Sequence, residues 1–182
     1  MELNVVNALM GQGKTSAAIN YINNAPEDEH FIFCTPYLSE VDRVITACTD
    51  KEFIEPQKSP SKRQQFKELV TNKKNVATTH SLFSNIDSET RKLIKDNNYT
   101  LILDETIETI SQLVLSSSDR EFIASLCEFD DKGCATWNSV KGTAYMKSIE
   151  TMCNCHNLYC ANNDFVQLLP IENFKAFSKV FI

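Results

Sequence analysis

Ala8-Leu-Met-Gly-Gln-Gly-Lys-Thr15 is flanked by a short apolar run, Leu3-Asn-Val-Val-Asn-Ala8, and by a helical pattern from Thr15 to Asn24 with Ala18, Ile19 and Ile22 on one face. A strand, a glycine-containing loop, Lys-Thr and a helix in that order make a cradle for an anion. Gly11 and Gly13 can adopt dihedrals that a Cβ forbids, so successive N–H groups turn inward. The opening helix adds its unpaired N–H groups and its dipole. Lys14 would place its charge on the β- and γ-phosphates of a nucleotide, and Thr15 would offer its hydroxyl to Mg²⁺. The expected phosphate-contacting set is Met10, Gly11, Gln12, Gly13, Lys14, Thr15 and Ser16. Ala8 stands where such loops usually begin with glycine, which makes that end less permissive. The plain alternative is a glycine turn between strand and helix with an incidental lysine.

Working outward, a second anchor is Leu101-Ile-Leu-Asp-Glu105, a buried strand that ends in two acids. Asp104 would hold the nucleotide's Mg²⁺ and Glu105 would activate the attacking water. Between the anchors, His30–Thr35 and Asn75–His80 read as strands, with helices at Tyr37–Cys48, Ser61–Asn72 and Leu82–Lys95. After the second anchor the pattern predicts helices at Thr106–Leu115, Ser118–Glu128 and Thr143–Cys153, with a loop over Asp130–Asn138. A strand pair follows, Leu158–Cys160 and Phe165–Leu169, then a helix at Ile171–Phe177 and a strand at Lys179–Ile182. Strands alternating with helices predict an α/β domain with a mostly parallel sheet, one domain over residues 1–182.

The chain has 182 residues, 42% hydrophobic and 23% charged, a composition ordinary for a globular protein. Its net charge of −6 argues against a strongly basic nucleic-acid binder, although backbone amides can hold phosphates without net positive charge. No apolar run approaches membrane-spanning length and no signal-peptide pattern is visible, so no membrane partner is expected. Seven irregularly spaced cysteines suggest reduced thiols and a cytoplasmic setting, host cytoplasm if viral. Cys153, Cys155, His156 and Cys160 offer zinc ligands at an unusual spacing, and buried thiols are the expected reading. Lys58, Lys62, Arg63, Lys67, Lys73 and Lys74 form a local basic stretch, read as a solvated helix face or a phosphate contact.

Taken together, Met10-Gly-Gln-Gly-Lys-Thr15, Thr35-Pro-Tyr-Leu-Ser-Glu40, Thr78-Thr-His-Ser-Leu82 and Leu103-Asp-Glu-Thr106 resemble motifs I, Ia, an Ib/Ic-type motif and II of superfamily-2 helicases of the DEAD/DEAH-like group, particularly the compact bacteriophage and viral origin-binding kinds. The resemblance runs from Asn4 to Ile182. It implies a P-loop NTPase fold, the first RecA-like domain of such a motor, with Walker A and Walker B segments at the two anchors. It also implies ATP and Mg²⁺ as ligands and single-stranded DNA or RNA as partner. Thr35, Pro36, Ser39, Thr78, Thr79 and His80 would contact nucleic acid, or the same threonines and serine would simply cap helices.

Such motors need a second RecA-like domain that supplies an arginine finger, worth about 10³–10⁵ in rate. Lys179–Ile182 would lead into motif III, which lies beyond the sequence, as do motifs IV to VI; no Q-motif precedes Leu3. The expectation is therefore an ATP-binding module with weak hydrolysis and no unwinding by itself, a fragment or split product or one completed by a partner. The alternatives are a P-loop nucleoside kinase and a non-enzymatic nucleotide-binding regulator.

Overall fold

Strands that run parallel and are covered on both faces need apolar residues at nearly every position. Phe31-Ile-Phe-Cys-Thr35 and Thr100-Leu-Ile-Leu103 meet that requirement, and both are buried throughout their length. In the computed structural model, which describes residues 1–182 apart from Ala8, Met10, Pro60, 139–145 and Asn163, they lie at the centre of a six-stranded sheet. The element order is β1 (Glu2–Asn4), α1 (Lys14–Asn23), β2 (Phe31–Thr35), α2 (Leu38–Ala47), β3 (Phe53–Ile54), α3 (Lys62–Thr71), β4 (Asn75–Thr79), α4 (His80–Ser84), α5 (Ser88–Asp96) and β5 (Thr100–Leu103). It continues with β6 (Ile110–Gln112), α6 (Ser117–Leu126), β7 (Cys127–Phe129), β8 (Ala135–Trp137), α7 (Lys147–Asn154), β9 (Leu158–Ala161), β10 (Asp164–Leu168), α8 (Ile171–Lys175) and β11 (Lys179–Phe181).

Contacts divide the chain into two compact units, residues 1–107 with 171–182, and residues 108–170. The first unit holds the sheet β1-β11-β5-β2-β4-β3, in which every strand pair is parallel. This is the α/β class with a mostly parallel sheet flanked by helices that the sequence predicts. On one face Phe31, Phe33, Ala77 and Ile102 pack with Ile22 of α1 and Val41 and Val44 of α2. The alternate residues Ile32, Cys34, Val76, Leu101 and Leu103 point to the other face and are equally buried. At the opposite end of the strands from the two anchors, Glu29 accepts hydrogen bonds from Thr100 Oγ1 (2.9 Å), Lys179 Nζ (3.3 Å) and Tyr21 OH (3.4 Å), joining β5, β11 and α1.

The second unit combines the antiparallel sheet β6-β10-β9 with the β7–β8 hairpin, and its core is built from Ile123, Leu126, Ala135, Ile149, Leu158 and Phe165. Two predicted elements are corrected here. The helix expected at Thr106–Leu115 is instead strand β6, because Thr106, Ile107, Thr109, Ile110 and Val114 are β-branched and Ile110–Gln112 pairs with Val166–Leu168. The loop expected over Asp130–Asn138 contains strand β8 and the turn of a hairpin. Asp130 Oδ1 accepts from the amides of Lys132 and Cys134, and Gly133 sits at φ +79°. A Cβ at Gly133 would stand 2.3 Å from the Cys160 carbonyl oxygen, so only glycine fits.

Smaller departures follow local chemistry. The first strand is shorter than Leu3–Ala8, although main-chain bonds Ile182 N–H to Asn4 O (3.0 Å) and Val6 N–H to Ile182 O (2.7 Å) extend its pairing with β11. The helix expected over Leu82–Lys95 is broken into α4 and α5, because Asp87 caps a new start by accepting from the Thr90 amide at 2.8 Å. The start of the helix expected at Thr143–Cys153 lies outside the described residues. Among the described residues, no helix is long and apolar enough to cross a membrane.

Burial pushes the Asp87 carboxyl up, but the amide and hydroxyl of Thr90, with Lys67 and Arg63 nearby, outweigh burial and hold it below the usual value. A folded-state value below the unfolded one means the cap contributes fully above the ordinary Asp range, about pH 4, and is lost as pH falls through the depressed value. Asp87→Ala should therefore cost about 1 kcal/mol near pH 7. Urea melts of the two proteins should converge as the pH falls below the depressed Asp87 value.

Candidate nucleotide site

A parallel sheet gathers the carboxyl ends of all its strands at one edge, and ligands of open α/β sheets bind in crevices there. In this chain that edge carries the loop after β1, Thr35 at the end of β2, Thr79 and His80 at and after the end of β4, and Asp104 and Glu105 after β5. The loop turns twice through left-handed backbone, at Gly11 (φ +81°) and Gly13 (φ +78°), and α1 begins at Lys14 with Gly13 as its N-cap. No side chain caps that helix. Among the described residues, a Cβ built at either glycine would meet nothing within 4 Å, so their packing does not dictate glycine at these positions. The backbone angles do, and the space above them is open. Met10 and Ala8, both named at the sequence level, lie outside the described residues; Gln12 and Ser16 are exposed.

Thr15, the second residue of α1, donates its hydroxyl to Asp104 at 3.1 Å (Oδ2) and 3.3 Å (Oδ1). The two anchors, 89 residues apart in sequence, thus meet at one hydroxyl–carboxylate pair. Lys14 lines a 430 Å³ cavity together with Asp104 and Glu105, so the cation and both carboxylates share one recess. Its other walls are mainly apolar, with Val5, Val6, Tyr21 and Phe181 among them. The donor set of hydroxyl and carboxylate oxygens suits a hard cation such as Mg²⁺. The open, left-handed glycine loop beside it suits phosphate oxygens. The residues therefore fit a magnesium-bound nucleotide.

The backbone of Asp104 is held from two sides. Its N–H donates to the Cys34 carbonyl at 2.8 Å, and its C=O accepts from His80 Nε2 at 3.1 Å. Burial lowers the His80 pKa, opposed by the hydrogen bond to Asp104 and by the carboxylates of Glu105 and Asp104. Glu105 follows in left-handed backbone at φ +63°, uncommon for a residue with a Cβ.

The residues expected to meet nucleic acid divide by exposure. Thr35 and Thr78 are buried, and Thr35 Oγ1 has no hydrogen-bond partner among the described residues. Pro36, Thr79 and His80 are partly exposed and Ser39 is exposed. The capping alternative finds no bond here: Tyr37 and Thr79 are the N-caps of α2 and α4, and neither side chain caps its helix. Ser61, Asp87 and Ser116 do cap α3, α5 and α6. Tyr37 and Leu38, which stand in the same motif without an assigned role, are 63% and 54% exposed beside Pro36. Half of the local basic stretch is paired with acids: Lys62 with Glu55 (2.6 Å), Arg63 with Asp87 (3.7 Å) and Lys67 with Glu89.

In the second unit, Cys153 and Cys155 are buried while His156 is exposed. No cluster of three or more metal-capable side chains occurs among the described residues. Cys153 Sγ instead lies 3.7 Å from Cys127 Sγ.

Comparison with known proteins gives one informative relative. The chain is 40% identical over 125 residues to the SPbeta prophage-derived uncharacterized protein YonV of Bacillus subtilis (strain 168). The match covers 65% of this chain and 30% of that protein, so the chain spans less than a third of its relative's length. No protein-family profile and no solved structure matches.

Proposed function

We propose that the first unit is a P-loop, RecA-like nucleotide-binding module that binds ATP or ADP with Mg²⁺ and serves a DEAD/DEAH-like helicase-type ATPase. The observation that carries this reading is the Thr15–Asp104 pair beneath the open glycine loop. In this reading the amides of the loop and of the first turn of α1 bind the phosphate chain, and Lys14 neutralises its β- and γ-oxygens. Thr15 and Asp104 hold the metal, which when bound screens the charge that builds on the phosphates during transfer. Glu105 orients the attacking water and accepts its proton. The water oxygen bonds to the γ-phosphorus as the bond to the bridging oxygen breaks, and ADP and inorganic phosphate leave.

The helicase-type assignment rests on the four motifs and on the adjacent acids. P-loop kinases commonly carry a single acid at this position, so the adjacent Asp104–Glu105 pair favours hydrolysis over transfer to a small acceptor. Pro36, Thr79 and His80 lie at strand ends of the same edge as the nucleotide loop, with Ser39 in the first turn of α2, which supports a single strand of DNA or RNA as the second ligand. The prophage origin in the relative's name supports a phage replication or recombination setting, in the host cytoplasm. The matched segment is 30% of that relative, which leaves room for a second RecA-like domain that supplies the arginine finger.

Steady-state phosphate release with and without single-stranded DNA and RNA tests the assignment. Slow ATP hydrolysis that rises when one of these strands is added is the expected result. Phosphate transfer to a nucleoside, indifferent to nucleic acid, would favour the kinase instead.

A further inference from the structure

The hydrogen bond between His80 and the Asp104 carbonyl crosses a strand. The sheet order is β5-β2-β4, so the end of β4 stands two strand spacings from the end of β5, about 9–10 Å. A side chain leaving the β4 end must pass over β2 to reach Asp104, and the imidazole of His80 does so through Nε2 at 3.1 Å. The carbonyl it grips belongs to the peptide that enters Glu105, where the backbone takes the left-handed turn at φ +63°. The Cys34 carbonyl on β2 grips the other polar group of Asp104, its N–H, at 2.8 Å. The acidic turn is therefore pinned by two neighbouring strands before its side chain meets Thr15 on α1.

We propose that His80 is a positioning residue for the metal-holding turn: by fixing the Asp104–Glu105 peptide from β4, it sets how well the site binds magnesium-bound nucleotide. This rests on the nucleotide-binding reading given above. Because a carbonyl can only accept, Nε2 must carry the proton. The required reach excludes short donors. Asparagine falls short of the position that Nε2 occupies, whereas the amide nitrogen of glutamine approximates it. His80 also opens α4, next to Thr79 and Ser81, so the tether joins the segment expected to meet nucleic acid to the carboxylates of the nucleotide site.

The test is a fluorescence titration of the whole chain with ADP, in EDTA and in Mg²⁺, for wild type and for His80→Ala, His80→Asn and His80→Gln. Wild type should bind ADP more tightly with Mg²⁺ than without. His80→Ala and His80→Asn should keep the metal-free affinity within about twofold and lose about tenfold of the gain from Mg²⁺. His80→Gln should recover most of that gain, and the Asn/Gln contrast decides the matter if the alanine variant does not fold. The proposal is overturned if the short variants keep the full magnesium gain, if they lose metal-free and metal-bound affinity alike, or if glutamine does no better than asparagine. Absence of any ADP binding by wild type is a separate outcome, which removes the nucleotide reading and this inference with it.

Discussion

Glu105→Gln is expected to lower ATP hydrolysis by about 10²–10³-fold while leaving nucleotide affinity within about threefold of wild type. The amide keeps the size and shape of the side chain but has no free pair of suitable basicity to accept a proton from water. Glu105 lies in the same recess as Lys14 and beside Asp104, whose hydrogen bond to Thr15 belongs to the binding apparatus. Binding and turnover should therefore separate at this position. Single-turnover conditions with protein in excess give the reading even where turnover is slow. Hydrolysis at the wild-type rate would remove Glu105 from the water-activating role.

The other large effect is expected at Lys14. Lys14→Ala should weaken ATP binding by about 100-fold or more, because a charged partner of the phosphate chain is lost. Lys14 is exposed and opens α1, where alanine is a better helix former, so any change in thermal stability should be small beside the loss of affinity. The pairing of a large loss of affinity with a small change in stability is the signature of a ligand contact. A variant that binds ATP as wild type does would mean that the lysine is incidental to the glycine turn.

The candidate site is legible in the sequence because its parts are local. The loop amides, Lys14 and Thr15 are consecutive, and a buried strand that ends in Asp104–Glu105 announces itself by composition. What joins the two anchors, a Thr15 hydroxyl on Asp104, follows once both strands belong to one parallel sheet. Elements set by partners in space were harder to read. The Thr106–Leu115 segment satisfies a helical period, yet Ile110–Gln112 within it pairs with β10 some fifty residues later. The β7–β8 hairpin depends on the Asp130 turn and on a close approach of Gly133 to Cys160, neither of which leaves a periodic trace. Thr35 and Thr78 show the limit of motif reading. They occupy strand ends as expected, but strand alternation and helix cover bury them, while the unremarked Tyr37 stands exposed. The sequence places His80 at a strand end; its partner beyond β5 is not legible there, because strand order is absent from the pattern.

Every step of this account depends on phosphates and a divalent ion entering the recess between the glycine loop and the acidic turn. Calorimetric titration of the wild-type chain with ATP, in Mg²⁺ and again in EDTA, measures that directly. The account predicts saturable binding of one nucleotide per chain that tightens with Mg²⁺. No heat of binding at millimolar ATP in either buffer would contradict it.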